Sequence, residues 1–180
     1  MSAPYNQNAA LKKAALIKLM IFDVDGILTD GSLHFGAEGE FLKTFNVLDG
    51  QGIKLLQDAG IVTAIISARQ SPIVAKRAAD LGITHLLQGI HDKKEAFERL
   101  TAMLNIEPKH CGFIGDDVID LPVLSRVGFS ASVPNGHVEV KSRVDYVTLA
   151  NGGAGAAREV CDFILQAQGT YDQVLTRFLK

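Results

Sequence analysis

The chain has 180 residues, of which 47% are hydrophobic, so it is long enough to bury one sizeable core. Its 18 basic and 20 acidic residues give a formal charge of −2, and no basic stripe indicates nucleic acid or an anionic membrane as a partner. Cys111 and Cys161 lie far apart and fit no metal-ligand spacing. They predict two reduced, buried thiols in a cytoplasmic protein.

The N-terminal segment imitates a targeting signal without completing one. Two lysines precede an apolar stretch, but Lys18 interrupts it, and Asp23 and Asp25 close it without a small-residue cleavage site. No apolar run approaches the ~20 residues that a membrane helix needs. We therefore expect no leader and no membrane span. Residues 1–15 are expected to be a flexible tail, with a short helix as the alternative.

Short apolar runs then alternate with longer segments of helical spacing. Strands are predicted at LIKLMIF, IVTAII, THLLQ, CGFI and DYVTL, several of them apolar on both faces. Helices are predicted at GQGIKLLQDAG, SPIVAKRAADLG, KKEAFERLTAML and DLPVLSRVG. This alternation predicts an α/β fold, a Rossmann-like three-layer parallel sheet with right-handed crossovers. Residues 16–180 are expected to form a single domain.

One segment departs from the alternation. SLHFGAEGEFLKTFNV has two short strand-like runs around Gly36 and Gly39, which is a β-hairpin signal. The segment follows the first strand directly, where a crossover helix is expected. We therefore predict a projecting flap over about residues 32–46, close to the functional site.

The C-terminal third contains a glycine cluster, NGGAG, before a helix predicted over about residues 156–168. Such a cluster could cradle a phosphate. It lacks the Lys-Ser/Thr of a P-loop, so a loop that only starts the helix is an equally good interpretation. The final segment, YDQVLTRFLK, has apolar residues at helical spacing and is expected to pack on its own domain or on a partner subunit.

Polar residues follow the predicted strands at the edge where ligands bind in an open parallel sheet. Taken singly, each could be an acidic turn or a helix cap. Their joint placement predicts an acidic pocket that also contains fixed cations and a hydroxyl group. The residues concerned are Asp23, Asp25, Ser67, Arg69, Lys93, Asp116, Asp117 and Asp120.

The carboxylates of this pocket predict a divalent-cation site, because clustered acids repel one another unless a cation lies between them. Asp23 and Asp116 are the candidate carboxylate ligands. Magnesium fits better than zinc, since it favours few carboxylates, several waters and a substrate phosphate. The Ser67 hydroxyl and the Lys93 ammonium suit phosphate oxygens. The pocket is therefore predicted to bind phosphate and Mg²⁺.

These residues predict phosphate-ester hydrolysis through a covalent intermediate. Asp23, at a rigid strand end, would attack phosphorus and become an aspartyl phosphate. Lys93 would lower the repulsion between this carboxylate and the phosphate dianion. Asp25 would protonate the leaving alkoxide and then activate the water that hydrolyses the intermediate.

Four motifs in order, DVDGILTDG, IISAR, the lysine of HDKKEAF and GDDVIDLP, resemble the haloacid dehalogenase (HAD) superfamily of phosphotransferases. The resemblance extends over nearly the whole chain after the tail. The short hairpin in place of a cap domain is similar to a subfamily of sugar-acid phosphatases. The resemblance implies an HAD-like fold and Mg²⁺-dependent hydrolysis of a carboxylated keto-sugar phosphate. A nine-carbon sialic-acid-type phosphate is the alternative substrate.

The resemblance also implies an assembly, a homotetramer whose hairpins form a central barrel and whose subunits share active sites. It makes Asp23, Asp116 and the backbone carbonyl of Asp25 metal ligands, and leaves either Asp117 or Asp120 to hold metal-bound water while the other is structural. Arg77 is expected to reach across a subunit boundary. The implied substrate contacts are Asn46, Asp49, Gly50, Lys54, Arg69 and Arg77.

Two positions depart from the family pattern. Ala68 stands where glycine is usual and should fit if its φ is negative. Leu48 stands where the subfamily usually has arginine, which removes a possible contact to a substrate carboxylate. Two alternatives of other classes remain, a phospho-accepting receiver domain and an inactive homologue that serves as a subunit. The close spacing of Asp23 and Asp25 speaks against the first, and the retained motif residues speak against the second.

Overall fold

The computed structural model describes residues 7–179. Within this range the strands are β1 (Leu19–Phe22), β2 (His34–Gly36), β3 (Gly39–Leu42), β4 (Val62–Ile66), β5 (His85–Leu87), β6 (Cys111–Ile114), β7 (Phe129–Ser132) and β8 (Tyr146–Val147). The helices of the same range are α1 (Gln7–Ala14), α2 (Val47–Asp58), α3 (Pro72–Leu81), α4 (Lys93–Leu104), α5 (Leu121–Leu124), α6 (Val138–Lys141), α7 (Ala156–Ala167) and α8 (Tyr171–Thr176).

Six strands form a parallel sheet in the order β5-β4-β1-β6-β7-β8. The chain runs outward from β1 through β4 to β5 and then crosses to β6 on the other side, so the strand order reverses between β1 and β6. The carboxyl ends of strands at such a reversal border the crevice in which ligands bind. Asp23 and Asp116 follow these two strands, β1 directly and β6 after one glycine.

Strand β1 is buried on both faces. Successive side chains of a strand point to opposite faces, so Leu19 and Ile21 join one hydrophobic core while Met20 and Phe22 join the other. Helices α1, α2, α3, α7 and α8 cover the core that contains Phe22, and α4, α5 and α6 cover the core that contains Ile21. The three-layer α/β prediction is confirmed. No helix within residues 7–179 has the length and apolar character to cross a bilayer.

The predicted strands are all present, but sequence reasoning missed β7. Its sequence, FSAS, places serines where the other strands have aliphatic residues, so it lacks an apolar run. Ser130 and Ser132 are nevertheless buried, and the Ser130 hydroxyl exchanges hydrogen bonds with Asp145. Hydrogen bonding in the interior therefore overrode the hydropathy pattern.

Both chain ends contain a short helix. Residues 1–6 lie outside the described range, but residues 7–14 form α1, whose buried Ala10 and Ala14 join the core. The short-helix alternative, rather than the flexible tail, applies to this part. At the other end Val174 of α8 is buried, whereas Phe178 and Leu179 are exposed. Of the apolar residues predicted to pack in this C-terminal segment, Val174 therefore packs within the chain, whereas Phe178 and Leu179 do not.

Strands β2 and β3 form a separate antiparallel hairpin inside the predicted flap segment, 32–46. Its outward side chains are unusually apolar, with Phe35 56%, Phe41 65% and Leu42 44% exposed. The hairpin therefore projects from the sheet with an uncovered hydrophobic surface.

Asp49, an implied substrate contact, is instead engaged within the chain. Its carboxylate is buried and accepts hydrogen bonds from the backbone N–H groups of Gly155 (3.4 Å) and Arg158 (2.8 Å) at the start of α7. Burial raises the pKa of Asp49, although these backbone donors act in the opposite direction. The side chain joins α2 to the N-terminus of α7, and its contact with substrate stays a prediction.

We predict that Asp49→Ala lowers the free energy of unfolding by about 1–3 kcal/mol, because partly buried N–H groups at the start of α7 lose their acceptor. Urea unfolding followed by circular dichroism measures the change. Asp80→Ala, at an exposed position of α3, is the matched control and should change the same quantity by less than about 0.5 kcal/mol. Equal stability of the two variants would contradict the capping role of Asp49.

Candidate active site

A cavity of about 220 Å³ opens at the carboxyl ends of β1, β4 and β6. Every residue predicted from the strand ends lines it, except Asp120, which is fully buried beneath it. The separate motifs thus meet at one edge of the sheet. The lining residues are Asp23, Asp25, Gly31, Ser67, Ala68, Arg69, Lys93, Asp116, Asp117 and Ile119.

Lys93 and two carboxylates form a buried charged cluster on the floor of the cavity. The Lys93 Nζ lies 2.9 Å from Asp23 Oδ1 and 2.6 Å from Asp120 Oδ1. Burial opposes the charge of Lys93, but the attraction of Asp23 and Asp120 outweighs it, so the pKa of Lys93 is raised. The position of Lys93 as the first residue of α4, after the Asp92 cap, directs it toward β1. The cluster therefore holds a permanent cation beside Asp23.

Asp23, Asp116 and Asp120 carry oxygens that all lie within 4.8 Å of one another. Burial, together with repulsion from Asp120, raises the pKa of Asp23 to about 7, although Lys93 acts in the opposite direction. Burial and the neighbouring Asp120 and Asp117 raise the pKa of Asp116 to about 7. These carboxylates lack enough positive charge nearby, which is the condition that a divalent cation relieves. The donor set, hard carboxylate oxygens beside open space, fits Mg²⁺.

Asp117 and Asp120, the two acids whose roles the sequence leaves open, lie in different environments. Asp120 accepts hydrogen bonds from Lys93 and from the backbone N–H groups of Asp116 and Asp117. Its oxygens are thus committed to holding the turn and the lysine. Asp117 is exposed at the cavity wall, where its carboxylate caps the backbone N–H of Val118. Asp120 is therefore buried and hydrogen-bonded, whereas Asp117 faces solvent at the cavity wall.

Two glycines allow the acidic loops to approach closely. A Cβ on Gly26 would lie 2.1 Å from Asp116 Oδ2, and Gly26 also has a φ of +89°. A Cβ on Gly152 would lie 1.7 Å from the carbonyl oxygen of Gly26. The glycine cluster before α7 therefore packs on the backbone of the Asp23 loop. It supports the site from behind and does not line the cavity.

Ser67 lies buried at the end of β4, and its hydroxyl accepts a hydrogen bond from the backbone N–H of Arg69 at 3.3 Å. Ala68 lines the cavity beside it. Among the non-glycine residues of the described range, only Asn105 has a positive φ. Ala68 therefore has a negative φ, and alanine fits there, as expected. The turn of residues 67–69 therefore presents the Ser67 hydroxyl and the backbone around Ala68 to the cavity.

Sequence reasoning missed two charged residues of the flap that contact the site. Lys43 donates a hydrogen bond to Asp25, and Glu40 lies 3.0 Å from the Lys43 Nζ and 3.5 Å from Arg69 Nη2. A lysine and a glutamate in a hairpin normally indicate a solvated surface. The burial of the Lys43 side chain, which is 1% exposed, depends on how the flap folds back and leaves no signal in the sequence.

The remaining implied substrate contacts lie away from the cavity. Asn46 caps α2 by accepting a hydrogen bond from the Leu48 backbone N–H, and Lys54 is exposed on the same helix. The Arg77 guanidinium lies 5.8 Å from the Phe45 ring and packs over Gly50 within the same chain. Of the implied contacts, Arg69 lines the cavity, and Asn46, Asp49, Gly50, Lys54 and Arg77 do not.

Comparison with known proteins adds independent findings. A family model described as haloacid dehalogenase-like hydrolase matches residues 82–160. The chain is 48% identical over 163 residues to 3-deoxy-D-manno-octulosonate 8-phosphate phosphatase KdsC of Escherichia coli K12, covering 91% of this chain and 87% of that protein. The KdsC protein of Yersinia pestis is 48% identical over 158 residues, covering 88% and 84% of the two chains.

Solved structures agree in fold. The 3-deoxy-D-manno-octulosonate 8-phosphate phosphatase of Moraxella catarrhalis, in complex with a magnesium ion, a phosphate ion and a KDO molecule, superposes with a TM-score of 0.93 at 46% identity, covering 96% of this chain and 99% of that one. The cobalt-bound deoxy-D-mannose-octulosonate 8-phosphate phosphatase of Haemophilus influenzae gives a TM-score of 0.88 at 44% identity, covering 93% and 99%. The chain belongs to the haloacid dehalogenase-like hydrolase family, among the relatives of the 3-deoxy-D-manno-octulosonate 8-phosphate phosphatases.

Proposed function

We propose that this enzyme hydrolyses 3-deoxy-D-manno-octulosonate 8-phosphate to the free sugar acid and inorganic phosphate, a step in the formation of lipopolysaccharide precursors. The main support for this proposal is that one cavity is lined by Asp23, Asp25, Ser67, Lys93 and Asp116. The chain also aligns with the named phosphatases over most of its length. Residues 16–180 act as one catalytic domain, with the flap at 32–46 beside the cavity.

The metal in this proposal is Mg²⁺. Asp23, Asp116 and the backbone carbonyl of Asp25 would hold it, and it would supply positive charge between the carboxylate nucleophile and the phosphate dianion. The raised pKa values of Asp23 and Asp116 support this, because both carboxylates are short of compensating charge.

The first half of the reaction forms an aspartyl phosphate. Asp23 Oδ attacks phosphorus from the end of β1, where burial limits its movement. The Lys93 ammonium, 2.9 Å from Asp23, offsets the negative charge of the entering phosphate. The Ser67 hydroxyl at the end of β4 donates to a phosphate oxygen. The Asp25 carboxyl group gives its proton to the ester oxygen as the P–O bond breaks.

The second half releases phosphate. The Asp25 carboxylate left by the first step takes a proton from a water molecule, which then attacks the phosphorus of the aspartyl phosphate. Asp25 lies at the cavity wall with a side chain 21% exposed, so water can reach it. Asp23 is regenerated as a carboxylate beside Lys93.

We expect the wild-type enzyme with Mg²⁺ to release phosphate from 3-deoxy-D-manno-octulosonate 8-phosphate with a higher kcat/KM than from a nine-carbon sialic-acid-type 9-phosphate or an uncarboxylated hexose phosphate. Asp23→Asn should lower kcat by about 10⁴-fold or more, because the nucleophile is lost. Phosphate release in a coupled assay measures both quantities.

The matched control is Asp30→Asn, an exposed carboxylate of the same motif that bonds the backbone of Ser32. It should retain near-normal kcat. Preference for the nine-carbon ester would change the substrate assignment and keep the chemistry. Absence of turnover on the whole panel would support the inactive-homologue alternative.

We expect Mg²⁺ to raise the melting temperature of the wild-type protein, because it binds the folded site and not the unfolded chain. A concentration 100 times its Kd corresponds to about 2.7 kcal/mol of stabilisation. Asp116→Asn should melt at an equal or higher temperature without metal, since it removes repulsion, and should show little response to Mg²⁺. Asp80→Asn, at an exposed position of α3, serves as the control and should respond like wild type. A full Mg²⁺ response in Asp116→Asn would contradict the ligand assignment.

The proposal includes a homotetramer that forms through the flaps and brings α2 and α3 residues to a neighbouring active site. Its support is the exposed apolar surface of the flap and the start of α2, formed by Leu33, Phe35, Phe41, Leu42, Val47 and Leu48. Leu48, which departs from the subfamily arginine, adds to this apolar surface. A cytoplasmic location fits the two cysteines, which are free and buried.

We expect Phe41→Asp to reduce the assembly from tetramer to smaller species, because a charge would enter the apolar contact between flaps. Multi-angle light scattering after size exclusion measures the mass. Met103→Asp on α4 is the matched control, since both side chains are 65% exposed. A tetramer in both variants, or a monomeric wild type, would refute assembly through the flap.

A further inference from the structure

Lys43 is a buried cation to which the proposed reaction gives no role. It follows β3 directly, and its side chain is 1% exposed. Its ammonium group donates to Asp25 Oδ1 and lies 3.0 Å from Glu40 Oε1. A buried ammonium is costly unless it is paired and hydrogen-bonded, so its two carboxylate partners fix its position.

A second cation approaches the other oxygen of the same carboxylate. Arg69 Nε lies 3.8 Å from Asp25 Oδ2, and Arg69 Nη2 lies 3.5 Å from Glu40 Oε1. The Arg69 guanidinium also lies 5.5 Å from the Phe35 ring centroid on β2. Each Asp25 oxygen therefore faces a different cation, and the flap holds both cations through Glu40.

This arrangement restricts the Asp25 side chain more than its own environment does. Asp25 is partly exposed at the cavity wall, so without a partner its carboxyl group could rotate toward water. Proton transfer requires the donor oxygen within hydrogen-bond reach of the leaving oxygen. Small displacements of such a group reduce rates strongly.

We propose that Lys43 is a positioning residue that orients the Asp25 carboxyl group for proton transfer to the leaving oxygen, and that Glu40 holds Lys43 and Arg69 in place from the flap. The inference rests on the proposed function. In the step concerned, Asp25 gives its proton to the ester oxygen as the P–O bond breaks, and Lys43 keeps its own protons throughout.

A purely structural ion pair that fastens the flap is the competing explanation, and leaving groups separate the two. An alkyl ester such as 3-deoxy-D-manno-octulosonate 8-phosphate needs a proton on its leaving oxygen. p-Nitrophenyl phosphate does not, because nitrophenolate is a stable anion. A loss of proton-transfer geometry therefore affects the alkyl ester selectively, whereas a loosened flap affects both esters.

The experiment measures kcat/KM for both esters with Mg²⁺, because this parameter covers the steps up to departure of the leaving group. For Lys43→Met we expect a loss of roughly 10²-fold on the alkyl ester and less than about tenfold on the aryl ester. Lys43→Arg should recover most of the alkyl activity, since it restores a cation. Lys76→Met, whose lysine is 81% exposed on α3, is the control and should match wild type on both.

Glu40→Gln keeps the side-chain shape and tests the same arrangement if Lys43→Met fails to fold. It should lower the alkyl-to-aryl ratio of kcat/KM by at least about fivefold, in the direction of Lys43→Met, because Lys43 loses a partner. An unchanged ratio in a folded Lys43→Met, or in Glu40→Gln when Lys43→Met does not fold, overturns the inference. If the wild type is inactive on both esters, the proposed function falls together with the inference. If the wild type is active and the variant has the same alkyl-to-aryl ratio as the wild type, the inference alone is overturned.

Discussion

Electrostatic repulsion among acids gathered at one edge of the sheet is the constraint that governs the site and the packing around it. Oxygens of Asp23, Asp116 and Asp120 lie within 4.8 Å of one another, largely out of water. Lys93 offsets part of this charge and is held by Asp23 and Asp120 in return. Burial and repulsion still raise the pKa of Asp23 and of Asp116 to about 7. The fold therefore holds carboxylates with too little positive charge around them, a shortage that a bound divalent cation can relieve.

Close backbone packing keeps the acids in place against this repulsion. Gly26 lets the Asp23 loop reach Asp116, and Gly152 lets the segment before α7 press on that loop. Asp49 fixes the same segment by capping α7 from α2. Strain from repulsion is thus opposed by contacts outside the cavity, and substitutions there should act on the site through position rather than chemistry.

The sequence predicts the residues whose position follows from topology. Asp23, Ser67, Lys93 and Asp116 meet because carboxyl ends of parallel strands share an edge, and a pattern of apolar runs is enough to infer this. Other features depend on tertiary contacts that no local pattern carries. Asp49 lies in the first turn of α2, yet its carboxylate caps a different helix about a hundred residues later along the chain. Strand β7 escapes detection because it has serines where the other strands have apolar residues, and the buried Ser130 is hydrogen-bonded to Asp145 inside the protein.

The flap shows why the missed residues matter. Its strand β3 and the residue that follows carry exposed Phe41 and Leu42 between Glu40 and Lys43, which contact Asp25 and Arg69 at the cavity. A displacement of this short strand moves both sets together, because adjacent residues share one backbone. A larger cap domain could separate assembly from chemistry, but a hairpin of this size cannot. Adjacent residues of one short segment would therefore meet neighbouring subunits, through Phe41 and Leu42, and orient the Asp25 carboxylate, through Lys43 and Glu40.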